Sequence, residues 1–461
     1  MLFVSPVFLF LFLPIMLGGN YLLKFNRKLQ NILLFLGSIG FYAWGEPKFC
    51  IVLLCSIVVN WLIAYLIEMV DKHSIKKASL VVAIILNIGL LFVYKYLNFA
   101  VKQFNGAFGT SFLVREIILP IGISFFTFQA LSYVVDVYRG LSAQKSILNV
   151  GLYIAFFPQL IAGPIVRYNS IAEQIDNRKE TFDKFKMGVC RFMEGFSKKV
   201  LLANTMAQIA DKAFNMPVDD RTMSFAWLGA IAYTLQIFFD FSGYSDMAIG
   251  LGKMFGFEFE ENFNYPYTAI SVTDFWRRWH ISLSTWFRDY LYIPLGGSRS
   301  KTKTRNYINL FIVWVFTGIW HGANWTFIVW GLFYFVFLFV EKAFNLSELF
   351  EKHHIVGHFY TLLVVIFAWV IFRADSLPLA VQYVSSMFDF ANIYSGITWV
   401  YIKEYLVYFV FAIALSTKLL GKAKDTRALH LVFDVLLTCA FFVSVLYVIN
   451  GTYNPFIYFN F

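Results

Sequence analysis

The chain has 461 residues, 59% hydrophobic and 14% charged, with a mean hydropathy of +0.64. No soluble domain carries that balance over its whole length. The apolar runs are long, not short and alternating, so an all-α, polytopic membrane protein is preferred over a β-barrel. The net charge of +10 falls in short basic clusters between apolar runs, which is the placement of cytoplasmic loops and not of a nucleic-acid surface.

The first apolar run, residues 2–23, has no basic segment before it and no small-residue cleavage site after it, so it reads as a retained span. Lys24, Arg27 and Lys28 follow directly and place that loop in the cytoplasm and the N-terminus outside. Further spans are predicted over 32–44, 49–67 and 80–94, and the loop at 71–77 is again basic, with His73 a solvated residue in it. The stretches 119–129 and 156–167 are apolar yet interrupted by Pro120, Gly122, Pro158, Gly163 and Pro164, and the second carries Gln159. Broken backbone at membrane depth is tolerated only where protein or enclosed water satisfies it, so both read as re-entrant or kinked helices lining a cavity. Residues 171–199 read as a charged, amphipathic cytoplasmic element. Cys50, Cys55, Cys190 and Cys439 show no CxxC or metal spacing and read as packing residues.

A span over 231–246 contains Asp240, Ser242, Tyr244 and Asp246. Acids and hydroxyls at that depth face protein or water, either as the lining of a polar path or as a hydrogen-bond network holding neighbouring helices. Arginines and aromatics interleave over 275–290, which suits a helix lying at the membrane interface, ended by Pro294 and Gly296-Gly297. Arg299, Lys301, Lys303 and Arg305 then form the densest basic patch, able to anchor anionic lipid or to meet the phosphates of an acyl donor.

The most informative stretch is Thr317-Gly318-Ile319-Trp320-His321-Gly322-Ala323-Asn324-Trp325, which puts one histidine inside a long apolar run. An ionisable group in the hydrocarbon layer is costly, so His321 is either a functional group or a core histidine bonded to a neighbouring helix. Gly318 and Gly322 on either side let a backbone or a ligand approach closely and favour the functional reading. Spans follow over 333–340, 360–372, 401–415 and 431–448. His353, His354 and His358 fall in a hydrophilic loop, where the i, i+4 pair has metal-ligand spacing but no carboxylate or thiolate joins it, so no metal is expected. Lys418, Lys422, Lys424 and Arg427 mark a cytoplasmic loop, which leaves the tail 454–461 outside. In all, roughly 10–12 transmembrane and re-entrant helices are expected in one membrane domain over 1–461, with no internal repeat.

Four motifs in order, Phe157-Pro158-Gln159 with Ala162-Gly163-Pro164, Asp240-Phe241-Ser242-Gly243-Tyr244-Ser245-Asp246, Trp276-Arg277-Arg278-Trp279-His280 and Trp320-His321-Gly322, resemble the membrane-bound O-acyltransferase family. The likeness extends over nearly the whole chain and is strongest to the bacterial polysaccharide O-acetyltransferases, the enzymes of alginate and peptidoglycan O-acetylation. It implies a shell of helices around a membrane-crossing tunnel, with His321 as the catalytic histidine and His280 as a second functional one. A related branch attaches D-alanine to teichoic acid and works with a small partner ending in Phe-x-Tyr-x-x-Phe, whose tyrosine is proposed to carry the acyl group. Phe456-Ile457-Tyr458-Phe459-Asn460-Phe461 fits that motif within this chain, which makes Tyr458 a candidate carrier; the alternative is an aromatic anchor at a span end.

The implied reaction takes acetyl from cytoplasmic acetyl-CoA to a polysaccharide outside the inner membrane, directly or through a periplasmic partner transferase. Arg277, Arg278, Arg299 and Arg305 would draw the donor's phosphates, and His321 would act as base on the attacking hydroxyl. His280 would orient the donor or protonate the leaving thiolate, while Gln159, Asp240, Ser242, Tyr244, Asp246, Trp320 and Asn324 would line the tunnel. Peptidoglycan is the first expected acceptor, with alginate or another exopolysaccharide second. Two rivals stand: a transporter, which broken helices and intramembrane acids also suit though no paired halves are visible, and a long-chain acyltransferase of the same family.

Overall fold

A computed structural model describes residues 1–114, 117–299, 302–418, 427–451, 453 and 455, with residues 427–430 described by backbone alone. Among these residues the secondary structure is helical and no strand occurs. Seven helices are long and apolar enough to cross a membrane, and two more apolar helices are shorter. The chain divides into two compact units, one of residues 1–192 with 245–260 and the other of residues 193–244 with 261–461.

The first unit contains α1 (Phe8–Leu22), α2 (Arg27–Gly45), α3 (Cys50–Met69), α4 (His73–Phe108), α5 (Ile123–Tyr138), α6 (Ile147–Ala155), α7 (Phe157–Leu160) and α8 (Tyr168–Asn177). Apolar length drives α3 and α4, and the amides they bury satisfy each other: Asn87 Nδ2 donates to Asn60 Oδ1 at 2.7 Å and Asn60 Nδ2 to Asn87 Oδ1 at 3.3 Å. Asn26 starts α2 by accepting from the Lys28 and Leu29 amides. The two stretches expected to break do so. Gly122 stands at φ +76 before α5, where a Cβ would lie 2.6 Å from the Leu160 carbonyl oxygen, so only glycine fits. Residues 156–167 form the single turn α7 and then leave helical geometry. Arg178, buried under the Phe257 ring, shares Glu180 with Arg27; burial lowers its pKa to about 9. Cys55 on α3 and Cys439 are exposed, and Cys50 and Cys190 are only partly covered, so none is a fully buried packing residue.

The charged stretch 171–199 is helical over most of its length, ending in α9 (Phe182–Ser197), and a π-helical segment, Lys198–Ala203, follows it and carries Lys199 into the interior. The second unit continues with α10 (Asn204–Phe214) and α11 (Met223–Met254), of which residues 223–244 belong to it. Then come α12 (Val272–Arg278), α13 (Ile281–Phe287), α14 (Lys303–His321), α15 (Trp325–Ala343), α16 (Leu346–Lys352), α17 (His354–Arg373), α18 (Leu377–Ser386), α19 (Gly396–Leu415) and α20 (Arg427–Ile449). Its core is aromatic, built around Phe275, Trp279, Trp330, Tyr334 and Trp369. Two expectations fail here. The interfacial helix over 275–290 is two short helices, because Trp279 is extended and His280 left-handed at φ 46, ψ 54. The hydrophilic loop at His353–His358 is the first turn of α17 from His354 onward, and His358 Nδ1 lies 3.2 Å from the Ala269 carbonyl oxygen.

Candidate active site

Both candidate histidines belong to the second unit, and each occupies a break between helices. His321 is the last residue of α14. Gly322 is extended after it, and Asn324 opens α15 by accepting from the Thr326 amide at 3.2 Å, while its own amide donates to the Asp375 carbonyl at 2.8 Å. Asn324 therefore sets the turn that follows His321. Gly318 and Gly331 bring the two helices into backbone contact: a Cβ on Gly318 would lie 2.5 Å from the Phe327 oxygen, and one on Gly331 2.4 Å from the Trp314 oxygen. The hairpin thus delivers His321 to a wall of rings. Its imidazole is buried, with the centroids of Trp320 and Trp330 at 4.9 Å and Phe372 at 5.1 Å, all edge-on.

His280 stands between α12 and α13. Left-handed geometry is uncommon for a residue with a Cβ, and it persists here because the neighbouring backbone over-determines it. The Ile281 amide donates to the Asn262 carbonyl at 3.0 Å, and the Asn264 amide donates to the Arg278 carbonyl at 2.9 Å. Asn262 Oδ1 lies 3.2 Å from His280 Nδ1 and accepts from the Ser282 amide at 3.1 Å and the Ser282 hydroxyl at 2.9 Å. His280 Nε2 is buried and has no hydrogen-bond partner among the described residues. Desolvation lowers the imidazole pKa to about 3, so the ring is neutral at physiological pH. Phe241 packs edge-on against it at 4.6 Å, and Trp320 lies at 6.1 Å, so the Trp320 indole touches both histidines.

Helix α12 is held by a carboxylate that the sequence reading did not single out. Glu341, buried at the end of α15, accepts from the amides of Val272 at 2.6 Å and Thr273 at 2.9 Å and from the Thr273 hydroxyl at 2.6 Å. It caps the N-terminus of the helix that leads to His280 and ties that helix to the one that follows His321. Ahead of His280, Arg277 is exposed and Arg278 pairs with Asp274 at 2.8 Å; Arg299 and Arg305 are exposed around the start of α14. All four arginines lie in the same unit as the histidines.

On α11, Asp240 forms an ion pair with Lys199 at 2.6 Å, each side chain 2% exposed. Lys199 Nζ also donates to Asn204 Oδ1 at 2.9 Å and to the Pro455 carbonyl, so it fastens the chain at Pro455. Tyr453 donates to Asp211, which pairs with Arg373. Ser242 and Tyr244 are buried on the same helix, and Gly243 has a Cβ position 2.7 Å from the Gly195 oxygen. Gln159 and Asp246 belong to the other unit. There Gln159 is buried, with Nε2 donating to the Tyr153 carbonyl, and Asp246 is salt-bridged to Arg191 at 2.7 Å. Tyr458 lies outside the described residues. Among the described residues no three His, Cys, Asp or Glu side chains gather as a metal site would require.

Seven long apolar helices among the described residues, with two buried histidines packed in aromatic surroundings, define a polytopic membrane protein. The sequence pattern of the membrane-bound O-acyltransferase family matches residues 39–384, and the chain belongs to that family. It is an acyltransferase, so the transporter reading falls. A probable alginate O-acetylase of Pseudomonas aeruginosa is 45% identical over 398 residues, covering 85% of this chain and 76% of its own. A peptidoglycan O-acetyltransferase of Helicobacter pylori is 36% identical over 425 residues, covering 84% and 80%. A teichoic acid D-alanyltransferase of Bacillus subtilis is 29% identical over 251 residues, covering 52% of this chain and 62% of its own.

Proposed function

We propose that this protein takes acetyl from acetyl-CoA at the cytoplasmic face of the inner membrane and passes it outward for O-acetylation of a secreted polysaccharide. The observation that carries the chemistry is the pair of buried histidines at helix breaks on either side of Trp320. The acceptor class rests on the relatives: 45% identity to an alginate O-acetylase against 36% to a peptidoglycan O-acetyltransferase favours an exopolysaccharide over the cell wall. The same resemblance supports a small acyl donor over a long-chain one.

In the proposed reaction His321 removes the proton of the attacking hydroxyl, whose oxygen bonds to the thioester carbonyl carbon. The carbon–sulfur bond breaks, and His321 returns the proton to sulfur, giving an ester and free CoA. Such a positioned base contributes about 10²–10⁴-fold. Exposed Arg277, Arg299 and Arg305 are free to meet phosphates of the donor, whereas Arg278 is already paired with Asp274. Tyr458 is the candidate first acceptor; Lys199 holds Pro455 three residues ahead of it, which supports a fixed origin for the tail. A phenol with a pKa near ~10 needs such a base at neutral pH. A periplasmic transferase would then carry acetyl to the glycan.

The test is base-labile acetate on secreted polysaccharide and on sacculi from the parent strain, a deletion strain, and the deletion carrying His321→Ala. Loss from the secreted polysaccharide in both altered strains is expected. Acetate unchanged in both materials would overturn the proposal, and loss from sacculi alone would move the acceptor to peptidoglycan.

A further inference from the structure

The atoms around His280 fix which of its nitrogens holds the proton. The Ser282 backbone amide can only donate, and it lies 3.1 Å from the Asn262 side-chain atom that also faces His280. That atom must therefore be the amide oxygen, an acceptor, and the orientation of Asn262 is settled by a donor that cannot change role. The imidazole nitrogen facing the same oxygen at 3.2 Å, Nδ1, must then be the protonated one. In the neutral ring this leaves the Nε2 lone pair bare, on a residue 1% exposed, with no partner among the described residues. A buried acceptor left without a donor costs free energy, and such an orphan needs a reason.

We propose that Asn262 is a positioning residue that locks His280 in the Nδ1–H tautomer, so that Nε2 is presented as an acceptor for an O–H or N–H of a bound substrate. The inference rests on the acyltransferase reading of this site. It assigns His280 a role opposite to that of the acid protonating the leaving thiolate, because the nitrogen available to substrate carries no proton. Among the described residues, the groups recorded against the ring, Asn262, Ser282, Phe241 and Trp320, carry no charge, and Asp240 beside Phe241 is engaged by Lys199.

The test uses the full-length protein in detergent, with acetyl-CoA as probe and released thiol as readout, across pH 5–9. Asn262→Ala removes the lock. A fall in kcat of roughly 10–10²-fold with KM for acetyl-CoA unchanged is expected, by analogy with the loss when the hydrogen-bond partner of a metal-bound histidine is removed. Asn262→Asp keeps an acceptor in place and adds a negative charge that favours imidazolium. It should recover most of the rate at high pH and lose it at low pH, adding a second ionisation to the acid limb that protonation of the His321 base gives the parent. A purely structural Asn262 would give no recovery in Asn262→Asp and no added ionisation. That result, wild-type kcat in Asn262→Ala, or loss of folding in both variants overturns the proposal. Full activity of His280→Ala would instead remove the reading of the site on which it rests, so the two failures are distinct.

Discussion

The close crossing of α14 and α15 gives the sharpest prediction, because it links a packing distance to the position of His321. Gly331→Ala would put a Cβ 2.4 Å from the Trp314 carbonyl oxygen and 3.2 Å from the amide nitrogen and Cα of Gly318. Ordinary carbon contacts begin near ~3.5 Å, and the obstacles are backbone atoms in regular helix, so the two helices must part by about 1 Å. Overpacking of this kind costs about 1–3 kcal/mol. Trp330, next in the chain, packs on the His321 ring at 4.9 Å, and His321 is one turn beyond Gly318, so both ends of that contact move. A misplacement of about 1 Å at a reacting group costs up to ~10²-fold in rate. The assay compares melting temperature in detergent with thiol release from acetyl-CoA, normalised to folded protein. Gly89→Ala in α4 is the control: nothing lies within 4 Å of its Cβ, so it should stabilise by ~0.5–1 kcal/mol and leave turnover alone. A Gly331→Ala protein with parental melting temperature and parental turnover would refute the reasoning.

Three further outcomes are expected. Lys199→Met or Asp240→Asn alone leaves a buried charge uncompensated and should cost roughly 3–5 kcal/mol, whereas Lys199→Met with Asp240→Leu should recover most of it; a double variant no better than either single one would count against the ion pair. Glu341→Ala strands the Val272 and Thr273 donors and should cost about 2–3 kcal/mol, with slowed turnover because α12 leads to His280, and intact thermal stability would exclude the cap. The folded His280 pKa is lowered to about 3, below the ordinary value near ~6.5, so the unfolded chain takes up the proton first as pH falls. Its contribution to stability is therefore complete above about pH 6.5 and lost on acidification below it; His280→Gln should flatten the fall in melting temperature between pH 6.5 and 4, and equal slopes would dismiss the effect.

Much of the fold was legible because long apolar runs and Pro or Gly interruptions are local signals. Helices α3, α17 and α19 lie close to the predicted spans, α4 runs well past the predicted 80–94 at both ends, and the breaks at Gly122 and at residues 156–167 fall where the sequence interrupts itself. The family was legible from four short motifs in order. The break at His280 was not, since no Pro or Gly marks it. Pairing with the chain around Asn262, 18 residues earlier, imposes the left-handed turn, and that is a tertiary cause. Lys199 was read as the end of a cytoplasmic charged element because it follows Lys198. Only the fold shows that the π-helical segment turns one of the two lysines inward to Asp240. Glu341 beside Lys342 carries no signal of its own in the sequence, because its role depends on where α12 begins.

The histidines stand at helix ends for a physical reason. Inside a regular helix each amide and carbonyl is committed to its own turn, and side chains radiate from a fixed cylinder. At a break the backbone can turn a ring to a new direction, but its freed polar groups must then be satisfied without water. Asn262 and Asn324 supply part of that satisfaction with side-chain amide oxygens that accept from the Ser282 and Thr326 amides. Glu341 does the same with a charge at the start of α12. The uncharged polar residues around the site are thus the condition for having two imidazoles in an apolar interior at all. Replacing Asn324 by Leu should therefore disturb His321 while leaving its ring contacts with Trp320 chemically unchanged. A drop in kcat with that variant, recovered in part by Asn324→Asp, which caps α15 as well but cannot donate to the Asp375 carbonyl, would separate the capping role from any direct contact with substrate.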